Sequence, residues 1–93
     1  MRFVNEPTEV DTRFQADGRV RPRRFTWRQT WLDVSDVGRQ WVDPDGRHVL
    51  VMAQASWSGA EGLPGGGHTF ELLLERESLS WRIVRAPADV AVA

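Results

Sequence analysis

The sequence predicts an all-β fold: a six- to seven-stranded antiparallel meander that forms a small barrel or a strongly twisted sheet. Three observations carry this. From Phe70 to Val84 the apolar positions Phe70, Leu72, Leu74, Leu79, Trp81 and Ile83 alternate with Glu71, Glu75, Ser80 and Arg82, the period of two that a half-buried strand requires. Turn signals punctuate the chain at Asp17-Gly18 and at Asp43-Pro44-Asp45-Gly46. No stretch shows a convincing helical period. At 93 residues, with five Trp and four Phe, the chain supports one domain with one modest core.

The first segment, residues 1–22, reads as an extended arm. Thr8 to Phe14 can form a strand, but Pro7, Pro22 and the Asp17-Gly18 turn leave little room for a helix. The arm is expected to wrap the sheet or to pair with an edge.

A hairpin follows. With Gln29-Thr30 as its loop, Trp27 faces Leu32 and Phe25 faces Val34, so one face is wholly apolar; an odd loop would set Phe25 against Asp33. The opposite face then presents Arg24, Thr26, Arg28, Trp31, Asp33 and Ser35, with Arg28 within stacking reach of Trp31.

In the next hairpin, Asp43-Pro44-Asp45-Gly46-Arg47 has the chemistry of a three-residue loop with a bulge, which pairs Asp43 with Arg47 and Trp41 with Val49. His48 to Met52 leave neither face of the following strand polar, so that strand is expected at the centre of the sheet, under a cover that the arm could supply.

Residues 56–67 are too rich in Gly to order themselves by packing and read as a long flexible connection. The last hairpin closes over Glu75 to Ser78, setting Leu74 against Leu79, Leu72 against Trp81, Phe70 against Ile83 and Glu71 against Arg82. Residues 87–93 read as a frayed tail. The expected core is Phe25, Trp27, Leu32, Val34, Phe70, Leu72, Leu74, Trp81 and Ile83.

Composition narrows the function classes. With no Cys there is no disulfide framework, thiolate metal site or cysteine nucleophile. All twelve basic residues are Arg and Lys is absent, a pattern that GC-rich coding produces by itself, and the net charge of −1 argues against a generally basic nucleic-acid binder. Charge is uneven, however. Arg19, Arg21, Arg23, Arg24 and Arg28 cluster without an acid, whereas Asp33, Asp36, Asp43 and Asp45 follow with Arg39 alone. Two adjacent strands could pair these charges, or the Arg run could be a real patch. Neither a secretory signal nor a membrane-spanning run is visible, so a cytoplasmic location with no membrane partner is expected.

Chemistry-bearing patterns are sparse. His48 and His68 fall at opposite ends of one expected strand pair, which makes them poor co-ligands, and each reads as an ordinary turn-flanking residue. The Asp43-Pro44-Asp45-Gly46 turn lacks the later ligands of a calcium loop, and Gly65-Gly66-Gly67 lacks the Lys-Ser/Thr ending of a phosphate-binding loop. Glu71 and Glu75 could meet Asp36 or Asp43 across strands, although solvated faces account for them as well. No catalytic residues, metal site or cofactor is expected. What remains is Arg with aromatics on a small sheet, the combination by which small barrels stack bases and track phosphates. The candidate binding surface is Arg21, Arg23, Arg24, Arg28, Trp31 and Trp57.

At Phe25-Thr26-Trp27-Arg28, Trp41-Val42-Asp43, Phe70-Glu71-Leu72 and Trp81-Arg82 the chain resembles an uncharacterised bacterial family of small all-β domains. Its members open with a segment like Arg2-Phe3-Val4-Asn5-Glu6-Pro7 and continue through Phe-x-Trp-Arg-Gly; Gln29 stands here in place of that Gly. Related segments also resemble the C-terminal extension of ImuB-type proteins, the inactive Y-family polymerase relatives of bacterial mutagenic repair. The resemblance supplies no catalytic residues. It implies a non-enzymatic binding or adaptor module whose partner is single-stranded nucleic acid or a DNA-repair protein. The alternative is a protein-interaction module acting through an exposed edge strand, as a monomer or an edge-paired homodimer.

Overall fold

Seven strands pair into one antiparallel sheet in the computed structural model, which describes residues 1–55 and 67–87. They are β1 (Arg2–Thr8), β2 (Val10–Phe14), β3 (Val20–Trp27), β4 (Thr30–Asp43), β5 (Gly46–Ala55), β6 (His68–Glu75) and β7 (Trp81–Ala86). There is no helix among the described residues. The lateral order is β1-β7-β6-β5-β4-β3-β2, so β5 is the central strand, as the apolar run from His48 to Met52 predicts.

The arm pairs with both edges of the sheet. β1 lies against β7 and β2 against β3, and the chain crosses from one edge to the other at Glu9. There Thr26 N donates to Glu9 O (3.0 Å) and Thr8 Oγ1 donates to Thr26 O (2.7 Å). The edges meet at this point without a ladder between them, so the sheet is strongly curled but not closed. Because β1 and β2 occupy the edges, they do not cover β5; Val20 and Pro22, at the end of the expected arm, are buried at the start of β3.

The concave face collects the core. Val20, Phe25, Trp27, Leu32, Val49, Val51, Ala53, Phe70, Leu72, Ile83 and Ala86 are buried in one cluster, with Val34, Leu74 and Trp81 packed half-buried against it. Phe25 and Trp27 meet the Phe70 ring edge-on, with centroids 5.1 and 5.5 Å apart. Such pairs contribute about 0.5–1.5 kcal/mol beyond the area they bury.

The three hairpins with an expected register all differ from it, the β3–β4 and β6–β7 hairpins by two residues. In β3–β4 the loop is Arg28-Gln29, both left-handed (φ 49° and 70°), so Trp27 pairs with Thr30 and Phe25 with Leu32. In β6–β7, Leu74 pairs with Trp81, Leu72 with Ile83 and Leu73 with Arg82, while Glu71 lies opposite Arg85 across a bulge. Leu79 is 72% exposed in the widened loop, where its N–H donates to Glu75 O and its φ is 57°. A shift of two keeps every side chain on its face, so the predicted core, which did not include Leu79, survives, and only the expected pairing of Leu79 with Leu74 is lost. The β4–β5 turn is also tighter: Asp43 pairs with Gly46, Val42 with Arg47 and Trp41 with His48. Most of the Gly-rich stretch 56–67, including Trp57, and most of the tail 87–93 lie outside the described residues; Pro87 itself is buried.

Candidate functional site

β3 and β4 pair only from Arg24 opposite Asp33 to Trp27 opposite Thr30; towards Val20 the two strands separate. This splay opens a cleft of about 360 Å³ bounded by Arg21 and Arg23 on one side and Asp33, Ser35 and Asp36 on the other. Arg21 and Arg23 are exposed and form no ion pair among the described residues. Arg13 stands directly opposite Arg21 across β2–β3, a like-charge pair that costs stability.

The other end of β3 carries the aromatic part of the site. Trp31, opposite Thr26, faces away from the core as expected, and the guanidinium of Arg24 sits over its ring at 4.7 Å. The expected partner, Arg28, is instead drawn round the tight Arg28-Gln29 turn onto Trp27 (4.4 Å) and pairs with Glu6 Oε2 at 3.3 Å. Arg24 is also paired, with Asp11 Oδ2 at 3.6 Å, but both side chains are half exposed, where such a pair contributes no more than about 1 kcal/mol. The Arg run is therefore divided, with Arg24 and Arg28 matched to acids and Arg21 and Arg23 unmatched. Of the six candidate residues, the structure brings Arg21, Arg23, Arg24 and Trp31 onto β3–β4, moves Arg28 to the β1 side, and leaves Trp57 outside the described residues.

A second constellation was not anticipated. His48, expected as a turn-flanking residue, is buried on the convex face. Its Nδ1 donates to Glu71 Oε2 (2.8 Å), and its Nε2 lies 2.7 Å from Asp43 Oδ2, off the line of a good hydrogen bond. The Trp41 ring stacks on the imidazole at 5.0 Å, nearly parallel. Glu71 also faces Arg85 Nε at 3.3 Å. Asp43 and Glu71, expected on solvated faces, are thus brought together by His48. With both nitrogens against carboxylates and the ring under Trp41, His48 serves as a cross-strand pin. The available signal was the β5 run itself, apolar on both faces; Trp41 shields only His48 on the convex face, and further along that face Leu50 is half-buried and Met52 exposed, so the expected cover over β5 is absent among the described residues.

His68 pairs with Ala53, at the far end of the β5–β6 ladder from His48. No group of three or more His, Cys, Asp or Glu among the described residues is placed to hold a metal ion, and no helix there is long and apolar enough to cross a membrane. No family model, curated protein or solved structure matches the chain.

Proposed function

We propose that this domain is a non-enzymatic binding module that takes single-stranded nucleic acid weakly, and with little sequence preference, on the outer surface of β3 and β4. The observation that carries the proposal is the Arg24 guanidinium over the Trp31 ring beside Arg21 and Arg23, which form no ion pair among the described residues. A guanidinium plane lying on an aromatic ring is a platform on which a base can stack, with about 1–3 kcal/mol gained per base. Arg23 and Arg21 then stand one and three residues along the strand from Arg24, in position to follow the phosphates. The Arg24–Asp11 pair is weak enough for a phosphate to displace. The resemblance of the Phe25-Thr26-Trp27-Arg28 and Trp81-Arg82 segments to the ImuB-type C-terminal extension supports a repair setting, in which the domain serves as an adaptor in the cytoplasm.

The test is titration of a labelled single-stranded oligonucleotide at low salt into wild-type protein and Trp31→Ala. Binding that weakens in the variant while its melting temperature holds supports the platform. Absence of binding at protein concentrations near 0.1 mM, an order-of-magnitude bound for non-specific affinity, rejects it. A second reading, a protein partner adding a strand, is favoured by one observation: β2 pairs on one side only and ends in the exposed Phe14.

A further inference from the structure

A second cleft, of about 550 Å³ and cationic, unlike the charge-balanced first, lies at the far end of β4, where Arg19 and Asp17 from the β2–β3 turn approach Arg39 and Trp41 of β4 and Arg47 of β5. Three guanidiniums there face one carboxylate. Asp17 is engaged with Arg19 (3.8 Å), and Arg39 and Arg47 have no acidic partner among the described residues. Two positive charges are left uncompensated.

The walls of this cleft are held before any ligand arrives. Gln40 bridges β4 to β3 through two hydrogen bonds to one residue: its Nε2 donates to Val20 O (2.7 Å) and its Oε1 accepts from Val20 N (3.2 Å). Trp41 is stacked on the buried His48, and Arg39 lies over the Trp41 ring at 5.4 Å. Arg39 is thus positioned by an aromatic surface that the Asp43–His48–Glu71 contacts fix in turn. Cations ordered in advance lose less entropy on binding an anion.

We propose that this cleft binds a phosphate monoester. A monoester carries about −1.5 to −2 charges near neutral pH, matching the uncompensated pair, and offers oxygens that guanidinium forks engage two at a time. A phosphodiester carries a single charge and matches less well. The ligand is either the terminal phosphate of a nucleic-acid strand or a small phosphorylated molecule. The site shares no residue with the Arg24–Trp31 platform and does not depend on it.

The test is a set of ¹⁵N–¹H chemical-shift titrations with three probes: inorganic phosphate, a short 5′-phosphorylated single-stranded oligonucleotide, and the same oligonucleotide without its phosphate. Inorganic phosphate is expected to move the amides of residues 38–42 and the Trp41 indole N–H. If strand ends are the natural source, the phosphorylated oligonucleotide binds at least about tenfold more tightly than the unphosphorylated one, a difference of about 1.4 kcal/mol. If a small molecule is the source, inorganic phosphate moves the same resonances and the two oligonucleotides bind alike. In either case R39Q, at an exposed position, and R47Q, at a half-buried one, abolish the phosphate response while the rest of the spectrum is retained. The proposal is overturned if inorganic phosphate leaves residues 38–42 unmoved, or if R39Q and R47Q respond as wild type does. Failure of the unphosphorylated oligonucleotide to bind, with the phosphate response intact, rejects the platform and upholds the cleft.

Discussion

His48 Nδ1 donates to Glu71 Oε2 across 2.8 Å between two strands, in a pair whose residues are only 7% and 3% exposed. The pair is the middle of a chain of contacts across five strands: Trp41 on His48, His48 to Glu71, Glu71 to Arg85, and Arg85 over Phe3 at 4.7 Å. This chain ties β4 through β5, β6 and β7 to β1 on the face opposite the apolar core. A carboxylate that buried is tolerated only when paired, and removing one partner of a buried pair leaves the other charge uncompensated. Glu71→Ala is expected to cost about 3 kcal/mol by urea denaturation, at the lower end of the range for buried pairs because Arg85 is partly exposed. A cost below about 1 kcal/mol, the range of a surface pair, would show that the chain of contacts contributes nothing.

The pH response follows from Asp43. Burial pushes its carboxyl up, but the N–H groups of Asp45 and Gly46 and the neighbouring His48 outweigh that and hold it below its ordinary 3.8. The native state therefore releases this proton more readily than the unfolded chain does. The stabilisation is complete above pH 3.8 and is lost as the pH falls through the lower native value. Asp43→Asn keeps an oxygen to accept from Asp45 N and Gly46 N but removes the charge. Its melting temperature should lie below that of wild type at pH 6, with the gap closing as the pH falls below 3.8. A gap that does not change with pH would remove the charge from the explanation.

Gly46 carries the turn between β4 and β5. Its φ is 149°, and a Cβ there would lie within van der Waals overlap of the Leu74 carbonyl on β6. Gly46→Ala must therefore both strain the backbone and push β6 away, at a cost of roughly 2 kcal/mol or more. A denaturation midpoint equal to that of wild type would contradict this close approach.

The register of β6–β7 makes opposite predictions for two apolar neighbours. Leu79 is in the loop and exposed, whereas Trp81 pairs with Leu74 and packs on the core. Leu79→Ser should change stability by no more than about 0.5 kcal/mol, as surface substitutions do. Trp81→Ala should cost about 3 kcal/mol. Comparable losses in the two variants would restore the pairing of Leu74 with Leu79.

The apolar alternation that defines the strands also explains what the sequence left open. Parity separates Phe25, Trp27 and Leu32 from Arg24, Trp31 and Asp33, and the structure keeps that separation. A period of two cannot tell one register from another two residues away, so the pairings in β3–β4 and β6–β7 depended on turns. Those turns use left-handed Arg28, Gln29 and Leu79, residue types that give no warning of positive φ. The His48–Glu71 contact was hidden for a related reason: it runs diagonally between strands, with His48 opposite Leu73 and Glu71 opposite Leu50. Arg21, Arg23, Arg24 and Trp31 were legible as a surface because they alternate with core residues. Which arginines meet acids was not, since Asp11, the partner of Arg24, and Glu6, the partner of Arg28, lie on strands whose pairing no local pattern reveals.

The most direct test of nucleic-acid binding on β3 and β4 is the salt dependence of oligonucleotide affinity in wild type and in R21Q/R23Q. If Arg21 and Arg23 each neutralise a phosphate, log affinity falls with log salt, and the double variant lowers the slope by about 1.4, or 0.7 for each phosphate no longer neutralised. Binding whose slope is the same in wild type and R21Q/R23Q, or no binding by wild type at low salt, would contradict it.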